Sequence, residues 1–174
     1  MSVSYREGAA DDAAAISALF KRSFSDTFGH LYPAEDLESF LATMTPDRFR
    51  GELADERFDF VIAEDRGTIA GYVKLGPAEL PVETPPDTVE LCQLYVLSEW
   101  HGNGVASALM DRALRVVHER GAKHVQLGVY VENHRARRFY ERYGFEPVGR
   151  YDFMVGSHAD EDVVLRHVVM QADQ

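Results

Sequence analysis

The feature that most constrains this chain is a run of small residues at alternate positions, Gly102, Gly104 and Ala106, between a strand-like segment and a helix-like one. Thr88–Val96 carries few charges, as expected of a strand near the centre of a sheet. Gly104–Arg120 places Val105, Leu109, Ala113, Val116 and Val117 on one helical face, and Gly121 suits the C-cap. A single turn or cap accounts for one glycine. Three small residues in this context also let an anion approach the backbone closely. The first N–H groups of a helix lack intrahelical partners and sit at the positive end of its dipole, so a phosphate site is expected here.

Three phosphate motifs compete for this turn. A P-loop ends in Gly-Lys-Ser/Thr, and the turn has no lysine. A dinucleotide fingerprint is only roughly met by Gly102-x-Gly104-x-x-Ser107. It also opens a long βαβ series with an acidic residue ending the second strand. Glu132 could fill that place, but 42 residues after it are too few for the usual sheet. A third pattern, which the later segments of the chain share in identifying, is the one these residues favour.

Val3–Arg6 reads as a short strand. Asp11 or Asp12 can cap a helix bearing Ile16, Leu19, Phe20 and Phe24. Gly29 interrupts it, Pro33 suits a first helical position before Leu37, Phe40 and Leu41, and Thr45-Pro46 repeats the start signal ahead of Phe49 and Leu53. Period two then takes over in Phe58–Ala63, with a turn at Asp65-Arg66-Gly67 and a return strand over Thr68–Leu75. Residues 76–87 hold four of the seven prolines and predict a loop. His124–Tyr130 is a further strand. Asn133–Tyr143 is a helix with Ala136, Phe139, Tyr140 and Tyr143 on one side, closed by Gly144. Phe145–Arg150 and Asp162–Val169 complete the list of strands. This order predicts one α/β domain over residues 1–174, a mixed sheet of about seven strands flanked by helices.

Composition narrows the function. The net charge of −11 disfavours nucleic acid as a partner. No apolar run reaches the ~20 residues of a membrane span, and the first residues lack the pattern of a secretory signal, so a cytoplasmic location is the expectation. Cys92 is the only cysteine, and the seven histidines show no zinc-binding spacing, so no metal is expected. Cys92 itself reads as a small buried strand residue. Acidic groups dominate residues 1–65, with fourteen acidic and six basic side chains, whereas Arg135, Arg137, Arg138 and Arg142 crowd a later helix. Solvated helix faces account for most of these charges; a cation-attracting front and a phosphate-tolerant helix is the sharper alternative.

Two motifs carry a resemblance to a known family. His101-Gly102-Asn103-Gly104-Val105-Ala106 resembles the acetyl-CoA motif Gln/Arg-x-x-Gly-x-Gly/Ala of the GNAT superfamily of N-acetyltransferases, with His101 in place of the usual first residue. Within Val131–Phe145 the pattern Asn133-x-x-Ala136-x-x-x-Tyr140-x-x-x-Gly144-Phe145 is similar to the same family's later helix. Phe24–Phe28, Gly71-Tyr72-Val73-Lys74 and Val155-Gly156-Ser157 are similar to bacterial spermidine/spermine N-acetyltransferases. The resemblance implies a splayed strand pair forming an acetyl-CoA cleft, with acetyl-CoA as cosubstrate. Leu94, Tyr95 and Val96, the turn from His101 to Ala106, Asn133 and Tyr140 would contact it. The backbone N–H of Val96 would stabilise the oxyanion. Asn133 can in any case serve as an N-cap.

Amide formation from a thioester needs a held thioester, a deprotonated amine, a stabilised oxyanion and a protonated leaving thiolate. Glu90 is the candidate base. It lies six residues before Val96, which puts both side chains on one strand face in a regular strand; a strand-end glutamate facing water is the alternative. Tyr140 is the candidate acid through its place in the family pattern, or a core aromatic between Phe139 and Tyr143. The early helices and their loop, with Asp26, Phe28, Tyr32 and Glu35, would bind a small cationic, polyamine-like amine. Acetylation of a protein or peptide and non-enzymatic acetyl-CoA binding are the alternatives. A homodimer is compatible with the sequence.

Overall fold

The computed structural model describes residues 2–169. Its strands are β1 (Val3–Glu7), β2 (Asp59–Asp65), β3 (Thr68–Pro77), β4 (Thr88–Val96), β5 (His124–Tyr130), β6 (Glu146–Val155) and β7 (His158–Val168). Its helices are α1 (Ala13–Phe28), α2 (Ala34–Ala42), α3 (Pro46–Leu53), α4 (Val105–Glu119) and α5 (His134–Arg142). The strands form one mixed sheet in the order β1-β2-β3-β4-β5-β7-β6, with β4 at its centre. Every neighbouring pair is antiparallel except β4 and β5, which are parallel.

The two faces of the sheet carry separate cores. One packs Leu109, Met110, Ala113 and Val117 of α4, with Tyr140 of α5, against Val73, Leu91, Val125 and Leu127. The other packs Ile16, Phe20 and Phe24 of α1 and Phe49 of α3 against Phe60, Ile62 and Tyr72. Alternation along β2 and β3 feeds both, since successive side chains point to opposite faces.

The local signals at helix starts hold unevenly. Thr45 caps α3, its hydroxyl accepting the Arg48 N–H at 3.1 Å. Pro33 lies at the N-cap of α2, one position ahead of its expected place. Asp12 stands at the N-cap of α1 without a side-chain cap bond. Its carboxylate instead accepts the Ala9 N–H and pairs with Arg6, both at 2.8 Å. The last two strands are longer than their apolar cores suggest. Polar residues between 151 and 161 continue the ladder into a hairpin that turns at Gly156 and Ser157. That turn is tied to α2, because Asp36 accepts the Ser157 N–H at 2.9 Å and its hydroxyl at 3.0 Å.

Candidate active site

β4 and β5 pair only at Thr88–His124, Val89–Val125 and Glu90–Gln126. Beyond Glu90 they part, although β4 stays bonded to β3 through Val96. The Leu97 N–H donates to Ala70 of β3 at 2.9 Å, so by strand alternation the amides and carbonyls of Leu94 and Val96 point into the fork. The Val96 carbonyl accepts from His101 Nε2 at 2.7 Å, as that direction requires. A cavity of about 510 Å³ opens behind the fork, walled by β4, β5, β7, α1 and the loop after β3.

Beyond the fork, the turn ahead of α4 is shaped by positive-φ glycines, Gly102 at 79° and Gly104 at 75°. A Cβ at either position would meet nothing within 4 Å. The glycines therefore serve the backbone conformation, and the surface beside them stays open to a ligand. Gly104 is the N-cap and offers no side-chain cap, and the Ala108 N–H is the one that closes onto its carbonyl. The amides just before Ala108 are thus left for an anion. Trp100 anchors the turn by donating Nε1–H to Asp65 at 3.1 Å. The His101 ring turns back to Val96, so it supports the β4 backbone and does not point toward the helix start. Residues present here fit a pyrophosphate-bearing cosubstrate.

The strand-face expectation for Glu90 is corrected. Lys74 pairs with Gln93 while Leu75 pairs with Leu91, so Cys92 is an extra residue that bulges β4. The bulge flips the alternation. Val89 and Leu91 before it, and Leu94 and Val96 after it, belong to the α4 side, whereas Tyr95 belongs to the α1 side. Glu90 and Val96 therefore face opposite ways, and Glu90, Cys92, Gln93 and Tyr95 line the cavity together. Glu90 does not sit in open water. Its Oε1 accepts the N–H groups of Glu79 at 2.9 Å and Leu80 at 3.0 Å, fixing the proline-rich loop. Burial raises its pKa above the usual carboxylate value, opposed by those two N–H donors. Burial also pushes the Cys92 thiol up to about 12, which keeps it protonated and inert.

Asn133 caps α5, its Oδ1 accepting the Ala136 N–H at 3.3 Å, and it lines the cavity. Tyr140 lines the same cavity at 9% exposure; its hydroxyl has no hydrogen-bond partner among the described residues, and burial raises its pKa. Of the helix arginines, Arg137 donates to the Val131 carbonyl at 2.9 Å and Arg142 lies over the Phe139 ring at 5.8 Å.

Phe28 and Tyr32 reach the cavity, but Asp26 and Glu35 do not. Asp26 is on the outer side of α1, 3.9 Å from Arg22, and Glu35 is exposed in the first turn of α2. Helical phase turned both carboxylates to solvent while the aromatics took the inner face. The acidity of the cavity comes from elsewhere: Glu52, Glu79, Glu90 and, on β7, Asp160 and Asp162. Asp160 and Tyr151 of β6 lie in 151–161, which has no strand reading in the sequence, and Asp162 stands there only as the first residue of a strand. The signal was Asp160-x-Asp162, two acids at strand spacing ahead of Val163-Val164-Leu165. Among the described residues no group of three or more His, Cys, Asp and Glu is placed to hold a metal ion. No helix among them is long and apolar enough to cross a membrane.

A model of the Acetyltransferase (GNAT) family matches residues 14–145, a span that contains both the fork and the α4 turn. The chain belongs to the GNAT family of N-acetyltransferases. An uncharacterised N-acetyltransferase of Mycobacterium tuberculosis is 36% identical to it over 157 residues, covering 90% of this chain and 95% of the relative. One from Lactobacillus delbrueckii subsp. lactis is 27% identical over 155 residues, 88% of this chain and 90% of the relative. Among solved structures, the PaiA N-acetyltransferase of Thermoplasma acidophilum in complex with coenzyme A superposes with a TM-score of 0.78 at 19% identity, over 97% of this chain and 99% of that one. This GNAT member is thus an acetyl-CoA-dependent N-acetyltransferase, whose acceptor its own cavity must define.

Proposed function

We propose that this acetyltransferase transfers acetyl directly to the primary amine of a small cationic, polyamine-like acceptor. One observation carries the reading: the fork between β4 and β5 leads into an aromatic cavity whose buried charges are mainly acidic. Acetyl-CoA supplies an activated acyl group when bound; the amides of Leu94, Val96 and residues 102–106 would hold it, with Asn133 and Tyr140 beside it. Protein residues then govern the proton traffic. As the amine nitrogen forms its bond to the acyl carbon and the carbon–sulfur bond breaks, Glu90 takes the surplus amine proton, directly or through water. Tyr140 gives its hydroxyl proton to the departing sulfur and regains one from solvent. The Val96 N–H stabilises charge on the acyl oxygen. A raised Glu90 pKa brings the base closer to the amine it must deprotonate.

Peptide acetylation is the second reading, favoured by one relative. A Bacillus subtilis protein provisionally named a ribosomal protein bS18-alanine N-acetyltransferase is 26% identical over 69% of this chain. Steady-state assays with alkylamines, polyamines and alanine-terminated peptides separate the two. The proposal expects small amines to exceed peptides at least tenfold in kcat/KM; the reverse preference overturns it.

A further inference from the structure

Two carboxylates on β7 take no part in the mechanism above. Asp160 and Asp162 share one face of the strand, are each 7% exposed, and both line the cavity. Asp162 is paired in the sheet with Tyr130, at the open end of β5. Tyr32, from the loop after α1, donates its hydroxyl to Asp160, and Tyr151 of β6 donates to Asp162 at 3.3 Å. No lysine, arginine or histidine acts on Asp162 among the described residues; its charged neighbour is Asp160. Among the described residues, the basic group paired with Asp160 is His158, Nε2 at 3.4 Å, a half-exposed residue.

Buried carboxylates are costly without a cation. Asp162 shows the strain: burial and the adjacent Asp160 push its pKa up to about 7, against the Tyr151 hydrogen bond. Tyr140, 9% exposed, lines the same cavity, and its hydroxyl has no hydrogen-bond partner among the described residues. Aromatic rings complete the enclosure, Phe28 and Tyr130 meeting edge to face with centroids 6.4 Å apart. Carboxylates, tyrosine hydroxyls and ring faces are the groups that bind an alkylammonium ion.

We propose that the Asp160–Asp162 pair, clasped by Tyr32 and Tyr151, seats a second ammonium group of the acceptor, so that the acceptor is a diamine. The inference rests on acetyl transfer at the fork. A nitrogen held between carboxylates keeps its proton, because opposite charge favours the charged form. Its lone pair is then engaged, and it cannot attack an acyl carbon. The nitrogen acetylated beside Glu90 is therefore a different one. The clasp holds the charged end while the free end reaches the fork.

The test compares 1,4-diaminobutane with 1-aminobutane as acceptors for the wild-type chain, Asp162→Asn and Asp160→Asn. Wild type should prefer the diamine at least tenfold in kcat/KM. Each variant should lose most of that preference through KM, with acetyl-CoA affinity held within about twofold, since a charge-assisted pair contributes on the order of tenfold or more. Equal use of both amines by wild type overturns the clasp. So does an equal loss of kcat on both amines in Asp162→Asn, which would make the residue a proton carrier. Should neither amine be acetylated, the transfer reading fails by itself, and calorimetric titration of the CoA-loaded protein with 1,4-diaminobutane still decides: binding lost in Asp162→Asn supports the clasp, and no binding to wild type overturns it. Tyr151→Phe, which keeps both charges, guards against a variant that fails to fold and should weaken the diamine more than the monoamine.

Discussion

The two sides of the β4–β5 fork are built differently. On the α4 side the groups offered to a ligand are backbone amides, set by a few adjacent residues between Leu94 and Ala106. On the α1 side they are side chains from distant parts of the chain, as with Tyr32 and Asp160, which are 128 residues apart in sequence. A backbone site needs particular torsions and small residues, so it leaves a local mark in the sequence. A side-chain site needs only that the fold bring certain groups together, so its members can be scattered. The first kind suits a cosubstrate shared by a whole family, and the second suits an acceptor peculiar to one member.

The sharpest way to break this contrast is to spoil the backbone side. Gly104→Val puts a β-branched residue at φ 75°, a conformation such residues avoid. Calorimetry should show acetyl-CoA affinity falling by about 100-fold or more, with the near-UV circular dichroism unchanged. Full affinity in that variant would remove the cradle from the account.

A comparably large effect is expected where the two sides meet. Tyr140→Phe should lower kcat by about 10²-fold, and Glu90→Gln by a similar factor, with KM for acetyl-CoA little changed. Because the folded pKa of Glu90 is raised, its base form is lost as pH falls through that raised value. The wild-type kcat/KM should drop on the acid side, and Glu90→Gln should flatten that limb. An unchanged profile would take the base role from Glu90.

How far the sequence could be read follows from the same contrast. The spans of β4 and β5 were legible to the residue, since each is bounded by turn chemistry. The α4 turn was legible because its positive-φ torsions favour glycine. The side of β4 that Glu90 presents was not, because a one-residue bulge at Cys92 leaves no mark in an alternating pattern. Asp26 and Glu35 looked suitable by type and neighbourhood, yet helical phase aimed them outward. Asp160 was hidden because a polar stretch there runs as a strand, held by the β6 ladder and by Asp36, and without it Asp162 reads as a strand end and not as half of a pair.

The acidic side should also show its cost in stability. The folded pKa of Asp162 is about 7, above its ordinary value of 3.8. The folded state thus binds a proton that the unfolded chain releases, and stability falls as pH rises through that window. Asp162→Asn removes the penalty. Its melting temperature should exceed wild type by a few degrees at pH 8 and by less at pH 5. A variant less stable than wild type at pH 8 would mean the carboxylate is well paired.

The smallest expected effect falls on the two carboxylates that helical phase turned away from the cavity. Asp26→Ala and Glu35→Ala should leave KM for any amine acceptor within about twofold, since neither side chain borders the cavity. A tenfold rise in either would extend the acceptor site beyond the fork.

Hydrogen–deuterium exchange on adding acetyl-CoA tests most directly that peptide amides make the cosubstrate site. Amides at Leu94, Val96 and residues 102–107 should slow by about tenfold or more, while those around Asp160 and Asp162 keep their rates. Saturated binding with unchanged exchange across 94–107 would contradict the account.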